Sequence, residues 1–132
     1  MPETETRSTT STVSQAAMAI YRATARRRAQ EAERALALRR ARAGEVAHLA
    51  AVLLKEQFGA TQVFIFGSTV HGFWFTATSD IDIAASGLAS DDYFTAVARL
   101  QDLSPEFKVD LVDLERCKLA LRDAVLREGV IL

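Results

Sequence analysis

The chain predicts an α/β (α+β) fold: a small mixed β-sheet with helices packed on one face, plus a long N-terminal helix. Three observations carry this. Residues 14–58 are rich in Ala, Arg, Glu and Leu and hold no proline, a composition that favours helix. Three short apolar runs, 62–66, 80–86 and 107–112, read as strands. Helical segments alternate with those runs and follow them, the order of a layered sheet-and-helix domain.

Taken in order, residues 1–13 are mostly Ser, Thr and Glu and are expected as a disordered tail with little to bury. Ser14, or Thr12 with Gln15, offers a helix start. The helix 14–58 carries an apolar stripe in its second half, Val46, Ala50 and Leu53 flanked by Leu49, Val52 and Leu54. Its first half is mostly alanine, interrupted by Arg26-Arg27-Arg28 and Arg39-Arg40, and Gly44 lies between the halves. From about Ser14 to Gly44 the apolar face is too narrow for the domain alone to hold. That part is expected to dock on a partner or on a second copy, or else to fray.

Gly59 closes the helix, and residues 59–132 form the domain proper. A strand at 62–66 leads into a loop, 67–79, with room for one helical turn after Ser68. The second strand, 80–86, ends at Gly87. Ser90-Asp91-Asp92 resembles a cap for a helix at about 91–102, with Tyr93, Val97 and Leu100 on one face. Pro105 breaks the chain before the third strand, 107–112. A last helix at about 115–128 leads to Gly129 and a short apolar end.

Composition bounds the function. At 132 residues and 49% hydrophobic, the chain can build one compact domain and little more. Residues 1–57 hold ten Lys/Arg against six Asp/Glu, and residues 58–132 hold six against eleven. A basic first half and an acidic second half suggest two jobs in one chain. Without aromatic residues between the arginines, a nucleic-acid partner is not expected. The single cysteine, Cys117, excludes an internal disulfide, and with two histidines a Cys/His zinc site is implausible. No apolar run spans a bilayer, so a soluble cytoplasmic protein is expected, with no membrane partner.

The chemistry lies in Phe64-Ile65-Phe66-Gly67-Ser68, followed after eleven residues by Asp80-Ile81-Asp82. Alternation along a strand turns Asp80 and Asp82 to one side and Ile81 and Ile83 to the other. The two aspartates are about 6.6–6.8 Å apart at Cα, and their carboxylates can share a divalent ion. Magnesium prefers oxygen ligands, completed by water and substrate phosphates. In the third strand Phe107, Val109 and Leu111 share the buried parity, which leaves Asp110 with Asp80 and Asp82. Asp113 has the buried parity instead. Gly67 lets phosphate oxygens approach the backbone, and the Ser68 hydroxyl can donate to them. His71 is either a phosphate contact or an ordinary loop residue. Phe73, Trp74 and Phe75 can pack under the loop, wall a base, or face a partner.

Gly67-Ser68, Asp80-Ile81-Asp82 and Asp110 together resemble the nucleotidyltransferase superfamily, and its smallest branch, the minimal nucleotidyltransferases (MNT), over roughly residues 60–128. The chain departs from that pattern in its eleven-residue spacing and in having Thr69 and His71 where arginines often follow Gly-Ser. The resemblance implies a nucleotidyltransferase fold and an enzyme using ATP and Mg2+, with two ions possible. It implies Asp80, Asp82 and Asp110 as catalytic and metal-holding residues, and Gly67, Ser68 and His71 at the nucleotide. It further implies an antitoxin that transfers AMP to a tyrosine of a HEPN-domain ribonuclease toxin. Two alternatives are an adenylyltransferase of small hydroxylated molecules such as aminoglycosides, and a non-catalytic module that masks its partner. Homo- or hetero-oligomers through the N-terminal helix are expected.

Overall fold

The computed structural model describes the backbone of residues 2–132, and the side chains of 14–132 apart from Phe73. Helix α1 spans Pro2–Phe58. It carries helical backbone through the residues expected as a disordered tail, because extending a formed helix costs far less than starting one. The chain forms two compact units, one up to Ala35 and the other Leu36–Leu132. From Pro2 on, the first is helix.

The second unit holds the sheet. Strands β1 (Gln62–Phe66), β2 (Ile81–Ser86), β3 (Val109–Asp113) and β4 (Val130–Ile131) lie in the order β3-β2-β1-β4. β1 pairs antiparallel with β2 and β4, and β2 pairs parallel with β3. The mixed sheet follows from the connections: a parallel pair needs a crossover, and helix α2 (Tyr93–Gln101) supplies it. Helix α3 (Leu119–Glu128) then returns the chain to β4, which the sequence suggested only as an apolar end.

The strands place their branched and aromatic side chains alternately. Val63, Ile65, Ile81, Ile83, Val109 and Leu111 are buried on one face, against Ala43, Ala47, Ala50, Ala51 and Leu54 of α1 and Ala96 and Leu100 of α2. The seam of α1 is therefore an alanine stripe. Val46 and Leu53 flank it half-buried, whereas Leu49 and Val52 are exposed. Small residues let the helix lie close to the sheet, which the larger side chains of the anticipated stripe would have prevented.

A second, smaller cluster of Phe64, Ala84, Leu114 and Val125 lies on the opposite face. Val125 belongs to α3, so helices cover both faces and the one-face arrangement is corrected. α3 could not be assigned a face from its own sequence, since most of its apolar side chains, Leu119, Leu121 and Leu126, are exposed.

At the free edge of the sheet, α2 caps β3 with side chains. Tyr93 Oη donates to Leu111 O at 2.7 Å, and the Gln101 amide bonds both backbone polar groups of Val109. Such caps close an edge that would otherwise accept another strand.

Candidate active site

Register assembles the carboxylates. Asp82 in β2 lies beside Asp110 in β3, and Phe66, the last residue of β1, lies beside Asp82 on its other flank. These residues share the face opposite the large core. Asp80 sits one residue before β2, where the Ile81 amide donates to Lys108 O at 2.9 Å and fixes the strand entry.

Asp82 is the most perturbed of the three. Its pKa is pushed up to about 6, first by burial and then by the negative charges of Asp110 and Asp80. A carboxylate raised by both burial and like charges marks a cluster that needs a counter-ion. Among the described residues, no group of three His, Cys, Asp or Glu side chains is arranged to hold an ion by itself. An all-oxygen set that relies on substrate phosphates and water to complete it suits magnesium. Asp82 and Asp110, side by side in register, offer oxygen donors of the kind that ion takes.

The first strand ends against this cluster. Gly67 has φ +75° and opens a 3-10 turn, Gly67–Thr69, in which the amides of Val70 and His71 return to Gly67 O at 3.2 and 3.1 Å. A Cβ at position 67 would collide with the carboxylate of Asp82. Ser68 is half-buried in the turn.

His71 Nε2 is 4.0 Å from Glu128 Oε2 at the end of α3, and its ring meets Trp74 edge-on at 5.6 Å. The aromatic run splits: Phe75 is buried in the large core, and Trp74 is 65% exposed. The Phe73 side chain, read above with the other two, lies outside the described residues. Asp113 faces the buried side at 7% exposure, where it pairs with Arg116 and accepts the Glu115 amide at 3.0 Å.

The contacts of four basic side chains, Lys108, Arg40, Arg39 and Arg42, were not anticipated from the sequence. Lys108 Nζ lies 3.6 Å from Asp110 Oδ1; the shared parity of 108 and 110 could have revealed it. Arg40 of α1 donates to Thr69 O and Val70 O at 2.9 and 2.8 Å. Arg39 and Arg42 both reach Glu106, at 3.3 and 2.7 Å, and the Arg39 guanidinium lies 4.3 Å over the Phe107 ring. The helix is thus held well before Gly44. Leu36, Arg39, Arg40 and Ala43 are engaged with the domain, so the expectation of an unsupported stretch is corrected for residues 36–44.

A groove of about 430 Å³ runs along the β3 edge, lined by Tyr93, Phe94, Val112, Arg116, Cys117 and Leu121 among others. None of its lining residues is one of the three carboxylates. The carboxylate cluster and this groove are separate features.

A half-buried acidic pair, Asp82 and Asp110, thus lies beside a glycine-opened turn at the end of β1. Residues 50–132 match the polymerase beta nucleotidyltransferase family, and the chain belongs to that family. A crystal structure of a toxin–antitoxin with AMP-PNP is similar at 26% identity over 64% of this chain and 70% of that one, with a TM-score of 0.56. A structure provisionally named a minimal nucleotidyltransferase is 31% identical over 74% of this chain and 95% of its own, with a TM-score of 0.51. The fold also matches a Shewanella oneidensis complex of a tri-AMPylated HEPN toxin with its MNT antitoxin, at 22% identity, 67% and 70% coverage and a TM-score of 0.52. No curated protein matches the chain. Among the described residues, no helix is long and apolar enough to cross a membrane.

Proposed function

We propose that this chain is an antitoxin of the MNT type, transferring AMP from ATP to a tyrosine hydroxyl of a HEPN-domain toxin. The observation that carries this reading is the register pair Asp82–Asp110 set against Gly67. Support comes from the family match and from the similar complexes, whose names include a toxin–antitoxin with AMP-PNP and an AMPylated HEPN toxin.

Asp80, Asp82 and Asp110 would hold Mg2+, which when bound neutralises triphosphate charge and eases departure of pyrophosphate. The chain's own residues do the rest. Gly67 supplies the left-handed backbone, φ +75°, that opens the turn, and the Ser68 hydroxyl donates to a phosphate oxygen. Asp110, whose side chain is 43% exposed beside Lys108, takes the proton of the acceptor hydroxyl as its oxygen attacks the α-phosphorus. The bond from that phosphorus to the β-phosphate oxygen breaks, and AMP stays on the acceptor. The helix up to Ala35 presents Met18, Ile20 and Tyr21 exposed and is the docking element for the partner.

The test pairs the purified chain with the product of the neighbouring reading frame, which this reading expects to be a HEPN protein, using ATP labelled in the α-phosphate, and Mg2+. Label on a toxin tyrosine, lost with Asp80→Asn or Asp82→Asn in a folded protein, is the expected result. Neutralisation of the toxin without label would instead support the masking module. Label on small hydroxylated molecules alone would support the other alternative.

A further inference from the structure

The turn that opens at Gly67 is held by a side chain from a different element. Arg40 of α1 donates from Nε to Thr69 O at 2.9 Å and from Nη2 to Val70 O at 2.8 Å. These two successive carbonyls belong to the same turn whose next amides fold back to Gly67 O. A guanidinium presents its donors as a rigid planar fork, so one side chain sets both the position and the orientation of the two peptide groups.

The loop is cut to receive that fork. Gly72 stands where the guanidinium passes, and a Cβ there would collide with Nη1 and Cζ and reach Nε at 3.0 Å. A large cation and a bare glycine, separated by the whole of β1, thus fit one another.

Arg40 is not needed to attach α1. The helix is seated by Ala43, Ala47, Ala50 and Leu54 in the core, and by Arg39 and Arg42 on Glu106. Arg40 is itself on the surface. What it holds is the turn, and what the turn presents is Gly67 and Ser68.

We propose that Arg40 is a positioning residue for the nucleotide. It fixes the backbone of 67–70 in the shape that meets the triphosphate, with Gly72 as its required counterpart. This rests on reading Gly67-Ser68 as the phosphate-binding turn. The mechanism is preorganisation: a turn already held in its binding shape loses less freedom when phosphate arrives.

The experiment compares the full-length chain with Arg40→Ala, Arg40→Lys, Gly72→Ala and the double variant Arg40→Ala/Gly72→Ala. It measures affinity for a non-hydrolysable ATP analogue with Mg2+, KM and kcat for AMP transfer, and melting temperature. Arg40→Ala is expected to weaken analogue binding and raise KM by about tenfold, as loss of charged hydrogen bonds would, with a smaller change in kcat. Arg40→Lys, a point charge without the fork, should fall between. Gly72→Ala should reproduce the defect, and the double variant should be no worse than Arg40→Ala, because both remove one interaction.

Wild-type affinity in a folded Arg40→Ala or Gly72→Ala variant would overturn the proposal, as would additive losses in the double variant. A lowered melting temperature with unchanged KM would show a structural role only. If the wild-type chain bound no nucleotide, the phosphate-turn reading itself would fall, and that measurement separates the two failures.

Discussion

The carboxylate of Asp82 occupies the space that a side chain at position 67 would need. Gly67 is therefore doubly constrained, by φ +75° and by its neighbour across the strand pair. The end of β1 and the acidic cluster of β2 form one surface, in which a side chain at 67 would have to displace the Asp82 carboxylate.

Gly67→Ala should accordingly cost about 1–2 kcal/mol from left-handed backbone alone. It should also displace the Asp82 carboxylate from its place beside Asp110. Thermal melting should show the stability loss, and AMP transfer should fall by more than tenfold, about 1.4 kcal/mol in the barrier. Full activity in Gly67→Ala would mean that Asp82 swings aside freely.

Asp82 makes the site pH-sensitive. Its pKa in the fold, about 6, lies above the ordinary 3.8, so the native state holds the proton more tightly than the unfolded chain. The stabilisation from that proton is complete below about pH 3.8 and is lost as pH rises through about 6. Without divalent cation, Asp82→Asn should therefore raise the melting temperature at pH 7.5, with a gain that shrinks below pH 6. Adding Mg2+ should stabilise wild type at pH 7.5 and do little below pH 5, where protons compete for the same oxygen atoms. Equal melting of wild type and Asp82→Asn at pH 7.5 would contradict the mutual repulsion.

Arg116→Ala leaves the buried Asp113 carboxylate with the Glu115 amide as its remaining contact of those described above. The expected loss is about 1–3 kcal/mol, the cost of stripping a partner from a buried polar group. Because Asp113 faces away from the other three carboxylates, kcat should hold at temperatures where the variant is folded. Denaturant melts together with transfer assays separate the two effects.

The boundary between the two units sets where the chain can be cut. Removing residues 1–35 deletes one whole unit and should leave the nucleotidyltransferase unit folded, with analogue binding intact and partner affinity reduced. Removing residues 1–43 also takes Leu36, Arg39, Arg40, Arg42 and Ala43, so both the core and the Gly67 turn should suffer. Circular dichroism melts and calorimetric titration with the partner distinguish the two truncations. Unchanged partner affinity after removal of 1–35 would leave that helix without a docking role.

Glu106 offers a smaller effect. Hydrogen bonding and charge from Arg42, with Arg39 beside it, hold its carboxyl below the usual range. The stability it adds is present above its unfolded pKa and fades as pH falls through the lowered one. The pair is exposed, so Glu106→Gln should lower the melting temperature slightly, and less so at high salt.

Much of the sheet and the acidic constellation was legible in the sequence because strand parity is a local rule. Wherever β2 and β3 lie, Asp82 falls opposite Ile81 and Ile83, and Asp110 opposite Val109 and Leu111. The aliphatic runs and the turn residues Gly67 and Gly87 likewise act over a few positions. Tertiary structure alone decided which face α3 covers, that α1 seats itself by alanines rather than by Leu49 and Val52, and that Arg40 reaches the turn at Thr69 and Val70. Those outcomes depend on shape and on hydrogen bonds between residues far apart in the chain. A guanidinium bound to backbone carbonyls leaves no signature in the identity of the residues that supply them. Only Gly72, bare where the fork passes, hints at it, and a glycine in a loop has many other reasons to be there.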